Sequence, residues 1–439
     1  LGYLGQSGML KQAKKDDFTR YNASVKLSSE INKYITVRGG ILFSDRIKQY
    51  PYATNSTTAD PWLYVYRWGP LSPFGTEDGE ALRSPASEIA SSNTAKQEYS
   101  YTNVNVGATF TITKDWTVDA DYTHANQEYI WNRPGTRFSA RNAWVGAIAK
   151  TDESGNPLYV NNEGADVASG TAGSMPAYEL PYTMYTGLGS NPDHIYRRSE
   201  NSKQGTFNMF TTYNLKLNDI HSFKVMAGIN RVTYKLQYNW SQKTELFDIN
   251  NPQFDLANGT QTAGGGTEWE SQLGYFGRVN YILKDKYLFE ANLRYDGSSK
   301  FPKELKWRTF PSFSAGWIVS NESFMEGLNP TLSTLKLRGS WGTIGDQTVS
   351  NTLYVPTMTS MNTTWLNGDT RYQAYKTPNA VDANITWQDI ENLNIGADFR
   401  FLNDKLGVTY DWYERTTKNM IVPGLEVPYT FGGDETMAS

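Results

Sequence analysis

Apolar and polar residues alternate with a period of two along most of this 439-residue chain. Tyr287, Phe289, Ala291, Leu293 and Tyr295 interleave with Leu288, Glu290, Asn292, Arg294 and Asp296. Such a period places successive side chains on opposite faces of a strand. The pattern recurs at 21–27, 35–43, 104–112, 116–122, 207–215, 223–229, 275–281, 313–319, 335–341, 395–401 and 406–412. The reading is all-β, with about a dozen antiparallel strands and no long amphipathic helix. NESFMEGL (321–328) predicts one helical turn, and little else reads as helical.

The connections fall into two kinds. One is short and built from Asn, Asp and Lys, as in INKY, TKDW, LNDIH, LKDK and LNDK. The other is long and covers roughly 48–98, 126–204, 239–270 and 343–390. The two kinds alternate, so in an up-and-down sheet the tight turns gather at one end and the long loops at the other. Outer-membrane barrels show that asymmetry, with short periplasmic turns and long extracellular loops. A sandwich in water has no reason to segregate loops by length.

Composition decides which face is dry. Hydrophobic residues are only 38% of the chain, whereas aromatics reach 14%, with 29 Tyr and 13 Trp. Soluble domains usually carry about 45–50% apolar residues. Tyr287 and Tyr295 bracket smaller residues, as interfacial girdles do, and their spacing suits the roughly 9–11 residues of a tilted membrane strand. Glu290, Arg294 and Asp296 would cost several kcal/mol each in a dry core without partners. The apolar face therefore faces lipid, and the polar face a wet or filled lumen. Lys and Arg total 41 against 45 Asp and Glu, which offers nucleic acid no basic surface. Without cysteine, thiol, disulfide and Fe–S chemistry are excluded. The chain opens LGYLGQSGML, with no initial Met and no recognisable signal peptide, and reads as a piece of a longer protein.

From Tyr275 onward the wording becomes specific. YFGRVNYILKDKYLFEANLRYDGSSKF, WRTFPSFSAGWIVSNESFM and LKLRGSWGTIGDQ resemble the SusC/RagA-like TonB-dependent transporters of Gram-negative outer membranes. LGYLGQSGMLK near the start and NITWQDIENLNIGADFRFLNDKLGVTYDWYERTTKNMIV near the end extend the resemblance. It covers nearly all of 1–439 outside the long loops, as one partial barrel domain, and is sharpest over 275–345. The resemblance implies a 22-stranded barrel filled by an N-terminal plug. It also implies import of oligosaccharides or peptides, a SusD-like lipoprotein as lid, and energy from the TonB complex through a segment ahead of the plug. No plug or TonB-contacting segment is recognisable in 1–439, and the family's closing strands are not recognisable either. A dozen strands leave two unpaired edges in lipid, so this segment by itself is expected neither to insert properly nor to transport.

Candidate chemistry is sparse, and no cofactor, metal or catalytic centre is assigned. His124, His194 and His221 lie in separate segments, without ligand spacing, and read as loop or rim residues. Asp119 and Asp121 share the polar face, as many acids of a wet lumen would. TDESGNPLY (151–159) reads as a turn rather than a cation loop, and GLGSNP (187–192) lacks the context of a nucleotide loop. DGSSKF (296–301) reads as a turn, with Gly297 free to take a positive φ.

Ligand capture is expected in the long loops. Trp62, Tyr64, Tyr66 and Trp68 crowd one stretch, and Trp365, Asn367, Asp369, Arg371, Tyr372 and Tyr375 another. Aromatic faces suit sugar C–H surfaces, and Asn, Asp and Arg suit hydroxyls; packing of the loops or of the lid would use the same aromatics. Glu290, Asn292, Arg294 and Asp296 are expected to face the lumen and meet the plug. Two other functions stay open: a receptor for siderophores or other ligands, and a surface glycan-binding protein that does not transport.

Overall fold

The computed structural model describes residues 1–52, 69, 72, 74–135, 138–185, 193–218, 220–328, 331–351, 353–378, 380–423, 428, 430 and 437–438. Thirteen strands form one antiparallel sheet in which every strand pairs with its neighbours in sequence. They are β1 (Gly2–Ser7), β2 (Asp17–Asn32), β3 (Ile35–Tyr52), β4 (Asn93–Thr113), β5 (Trp116–Gly135), β6 (His194–Leu217) and β7 (His221–Thr244). The meander continues through β8 (Gln261–Leu283), β9 (Tyr287–Ser298), β10 (Trp307–Ile318), β11 (Leu332–Asp346), β12 (Gln388–Phe401) and β13 (Leu406–Lys418). The twelve strands expected from periodicity are β2–β13, and β1 is added at one edge. No helix among the described residues is long and apolar enough to cross a membrane.

Tight turns follow their residue chemistry. Lys284 and Asp285 between β8 and β9, and Leu402, Asn403 and Asp404 between β12 and β13, all hold a positive φ. Left-handed pairs of this kind match the twist of the hairpins they close, and Asn and Asp tolerate them best. NESFMEGL forms two short 3-10 turns, Val319–Asn321 and Ser323–Leu328. A short α-helix, α1 (Pro85–Ser91), lies between β3 and β4, started by Pro at its first turn and a reciprocal Ser84–Ser87 capping box. Seven residues are too few to show a helical period, so the sequence did not announce it.

Directly paired residues share a face, so the registers carry the apolar surface from strand to strand. Leu293 lies opposite Gly277 and Pro311, and Ala291 opposite Val279 and Phe313. Phe313 in turn meets Trp341, and Trp341 meets Leu393. This outer face is exposed along its length: Phe289 is 48% exposed, Leu293 53% and Phe313 54%. Ring pairs line its margins, Tyr287 with Trp317 on the tight-turn side and Tyr295 with Trp307 on the other. With strands tilted as in membrane barrels, Tyr287 to Tyr295 spans roughly 20 Å of depth.

Several strands outrun that band. β3 and β4, β5 and β6, and β6 and β7 stay paired to Tyr52–Asn93, Gly135–His194 and His194–Thr244. Residues 48–52, 93–98, 126–135, 194–204, 239–244, 261–270, 343–346 and 388–390 are thus strand rather than loop. Alternation of apolar and polar residues stops where hydrocarbon stops. The backbone ladder does not, because water tolerates polar residues on both faces.

Gly297 also departs from expectation: it continues β9, paired with Leu273 and Trp307, and the chain turns after Ser298. A Cβ there would sit 2.7 Å from the Trp307 ring, so the glycine makes room for an indole rather than for a positive φ.

Buried apolar side chains are few among the described residues, and Phe301, Phe310, Ile385 and Trp387 gather into a core. This core lies at the long-loop end, on the polar side of the sheet, and anchors the foot of the 347–387 connection. Thr386 Oγ1 donates to the Leu305 carbonyl at 3.0 Å, and Trp387 Nε1 to the Lys306 carbonyl at 2.9 Å.

Candidate functional site

The inner face is built from charges that hold one another. Arg38 on β3, Gly107 on β4 and Asp121 on β5 stand in one register row, and the guanidinium crosses the glycine to Asp121 at 3.2 Å. Arg338 on β11, Gly396 on β12 and Asp411 on β13 repeat that arrangement, with Arg338 at 2.7 Å from Asp411 and 3.1 Å from Asp398. A Cβ on Gly107 would fall 1.9 Å from Asp121 Oδ1, and one on Gly396 2.5 Å from Arg338 Cζ. Each glycine is the gap through which an arginine spans three strands. Asp119 also lies against Arg38, at 3.5 Å, so Asp119 and Asp121 are ion-pair partners rather than an acid–base dyad.

Glu290, Asn292, Arg294 and Asp296 project from one face of β9. Asn280 and Asn292 donate to Glu290 at 2.9 and 2.7 Å, Arg278 donates to Asn292 at 2.6 Å, and Arg294 meets Asp296 at 2.8 Å. Phe276 and Phe310 flank them around a cleft of about 570 Å3, and a second cavity of about 270 Å3 adjoins it through Arg294 and Phe310. A groove of about 550 Å3 on the opposite face is lined by Phe289, Phe313, Trp341 and Ile395. It is apolar and shallow, as a lipid-facing surface between aromatic rings is, and holds no chemistry.

The long connection 347–387 carries an exposed hairpin, Ser360–Asn362 paired with Gln373–Tyr375. Its tip turns through Asn367 and Thr370, with Gly368 at φ +64. The Trp365 and Tyr372 rings lie 6.2 Å apart, tilted by 52°, and Asn367 Nδ2 donates to the Tyr372 hydroxyl at 3.1 Å. Asp369 sits in the turn, Arg371 next to Tyr372, and Tyr375 at the far end of the second strand; all are exposed. The fold thus gathers Trp365, Asn367 and Tyr372 into one surface and leaves Tyr375 apart from it. Trp62, Tyr64, Tyr66 and Trp68 lie outside the described residues, as does 187–192.

The histidines are strand residues, not loop residues. His124 lies mid-strand opposite Val104 and Gly205, where the apolar band of β5 ends. His194 is buried at the start of β6, edge-on to Tyr52 at 5.8 Å. His221 opens β7 and shares a hydrogen bond of 2.8 Å with the Tyr281 hydroxyl. Among the described residues no three His, Asp or Glu side chains gather where a metal ion would sit. Asp152 caps its own turn, accepting from the Ser154 and Asn156 backbone N–H groups at 2.9 and 2.8 Å. Those bonds, Asn156 foremost, hold its carboxyl below the usual range.

At the tight-turn end, Glu322 gathers Lys286, Tyr287 and Trp317 at 2.9, 2.7 and 3.2 Å. The Tyr287 hydroxyl, then Lys286, depress its carboxyl to about 2. Neither this clamp nor either Arg–Gly–Asp row is legible along the chain. Each depends on register, and the only linear trace of the rows is an Arg-Gly pair on the polar phase of a strand, as in VRGG and KLRGSW.

An open-edged meander with a lipid-type outer face, a charge-lined inner face and long loops at one end defines a transmembrane β-barrel wall. The chain belongs to the TonB dependent receptor-like, beta-barrel family, whose pattern it matches over residues 38–436. Its barrel is an outer-membrane one.

TonB-dependent receptor SusC of Bacteroides thetaiotaomicron is 39% identical over 152 residues, 34% of this chain and 15% of SusC. TonB-dependent receptor P3 of Formosa agariphila is 30% identical over 148 residues, again 34% of this chain and 14% of that receptor. The structure of the RagAB peptide transporter superposes on 99% of this chain and 44% of its own, with a TM-score of 0.70 at 17% identity. The chain spans less than half the length of that transporter chain, and its matched segment covers a smaller share of each receptor.

Proposed function

We propose that this chain is the central barrel segment of a TonB-dependent importer of oligosaccharides or peptides. The long loops stand outside the cell, with a SusD-like lipoprotein as lid, and the TonB complex acts through a part of the protein ahead of this segment. The 39% identity to SusC is the observation that carries this reading, and it favours an importer over a siderophore receptor. Glu290, Asn292, Arg294 and Asp296 face the lumen, where a plug would meet them. No catalytic step is assigned, and the relatives carry receptor names.

Within this reading the hairpin tip is the ligand-facing surface of the described loops. Trp365 and Tyr372 present ring faces, Asn367 orients the Tyr372 hydroxyl, and exposed Asp369 and Arg371 supply polar partners. The test is uptake of labelled oligosaccharide and peptide panels by cells carrying the intact transporter. Trp365→Ala and Tyr372→Ala should each weaken uptake of the accepted ligand about tenfold at limiting concentration, the size of a lost aromatic contact. Trp62→Ala provides the same test for the 60–75 stretch. Unchanged uptake in all three variants would return these rings to loop packing.

A further inference from the structure

Charges on the outer face above the apolar band are not evenly spread. On β2, β3, β4, β5, β12 and β13 the first charged side chain beyond the band is an acid: Asp17, Asp45, Glu98, Glu128, Glu391 and Glu414. β6 and β7 reverse the sign. Arg231 lies opposite Phe207 and Leu273 at the band's edge, and two rows further up Lys203 stands directly opposite Lys235. Directly paired residues bring their Cβ atoms to about 5 Å, and like charges so placed repel. Among the described residues no salt bridge relieves Lys203, Lys235 or Arg231, and the side chains of all three are exposed.

Trp269 faces Lys235 from β8 and is 60% exposed on the same surface. Thr233 stands between the two cationic rows, opposite Gly205, and the glycine leaves room for the Tyr122 hydroxyl, which a Cβ there would meet at 3.2 Å. The nearest acid on this face is Glu128, one row above Lys203 on the next strand, and Asn201 Nδ2 approaches it at 3.5 Å.

We propose that Lys203, Lys235 and Arg231 seat the phosphate of an anionic outer-leaflet lipid, with Trp269 at the headgroup level. Two facts commit the surface to lipid. Arg231 lies at the edge of the hydrocarbon-facing band with Lys203 and Lys235 two rows above it, all three on strands rather than out on a loop, and Met209 and Ile229 continue below Arg231 as a surface for acyl chains. A phosphate between two facing ammonium groups cancels a repulsion that the sheet register otherwise imposes. The assignment rests on the long-loop end being extracellular, as proposed above.

The test uses the intact membrane-inserted protein, extracted with its lipid and probed by native mass spectrometry with phosphorylated lipid A, dephosphorylated lipid A and inorganic phosphate. Wild type should retain phosphorylated lipid A. K203Q/K235Q should bind it about 30-fold more weakly, from two cations worth roughly fivefold each at a membrane surface. Heat-modifiable gel migration reports whether the variant is folded, and the dephosphorylated lipid gives a comparison within wild type that needs no variant. Equal retention by wild type and variant, equal binding of dephosphorylated lipid, or equal binding of inorganic phosphate alone would each overturn the assignment. So would a change in oligomeric state without a change in lipid retention. Transport by K203Q/K235Q should be unchanged, so loss of the lipid seat is distinguishable from failure of the importer reading.

Discussion

On the outer face of β9, Phe289 and Leu293 stand about half exposed with no polar partner within the chain. One residue away on the inner face, Glu290 accepts from Asn280 and Asn292, and Arg294 is held by Asp296. In a protein surrounded by water the apolar side would be packed and the polar side left to solvent. Here the apolar side is open and the polar side is stitched together. The contrast shows that the solvent of the outer face is hydrocarbon, where every polar group must be satisfied elsewhere and apolar groups need no protein neighbour. The inner network then fixes the shape of the wall without a dry core.

Breaking the dry cluster on the inner side should produce the largest effect. Trp387→Ala removes a ring packed on Phe301 and Phe310 at 5.3 and 5.5 Å and a hydrogen bond to the Lys306 carbonyl. A loss of about 3–5 kcal/mol is expected for a buried aromatic. Limited proteolysis should cut within 347–387 while the membrane-level strands stay protected.

The faces themselves are separated by Leu293→Arg and Ser314→Arg. The first puts a charge on the lipid side, between mid-membrane and the Tyr295 margin, and should cost about 2 kcal/mol. The second adds an arginine on the inner face, beside Glu290 across the β9–β10 pair, and should cost under about 1 kcal/mol. Refolding yields into detergent-stripped lipid vesicles measure both, and equal losses would erase the distinction.

The smallest effect belongs to the tight-turn end. Glu322 titrates at about 2 in the folded chain against an ordinary 4.5, so its stabilisation is complete above 4.5 and fades as pH falls toward 2. Glu322→Gln should therefore flatten the pH dependence of the melting midpoint between those values and leave the slope above pH 5 unchanged. Tyr287 and Trp317, which hold this carboxylate, stand at the tight-turn margin of the outer face, so the titration probes that rim.

Which parts of this could be read in advance follows from what each depends on. The β9 alternation, the tight turns and the aromatic margins are local, so Tyr287, Lys284 and Tyr295 announced them within a few residues. Strand ends above the membrane were misjudged because 194–204 and 126–135 mix polar residues with apolar and aromatic ones on both faces, and period two vanishes while the ladder persists. Gly297 looked like a turn because Asp-Gly-Ser-Ser is turn chemistry, and only the facing Trp307 explains it. In the candidate site, Trp365, Asn367 and Tyr372 proved neighbours because they share one hairpin. Arg38 with Asp121 and Arg338 with Asp411 were invisible, since their partners lie 83 and 73 residues away and meet only through register.

The most direct test is residue-by-residue lipid contact, with single cysteines at 289, 290, 293 and 294 of the membrane-inserted protein carrying spin labels read against oxygen and a water-soluble relaxant. Positions 289 and 293 should be oxygen-accessible and shielded from the aqueous agent, and positions 290 and 294 the reverse. Aqueous access at 289 and 293 with oxygen contact at 290 and 294 would mean that the wall is inside out.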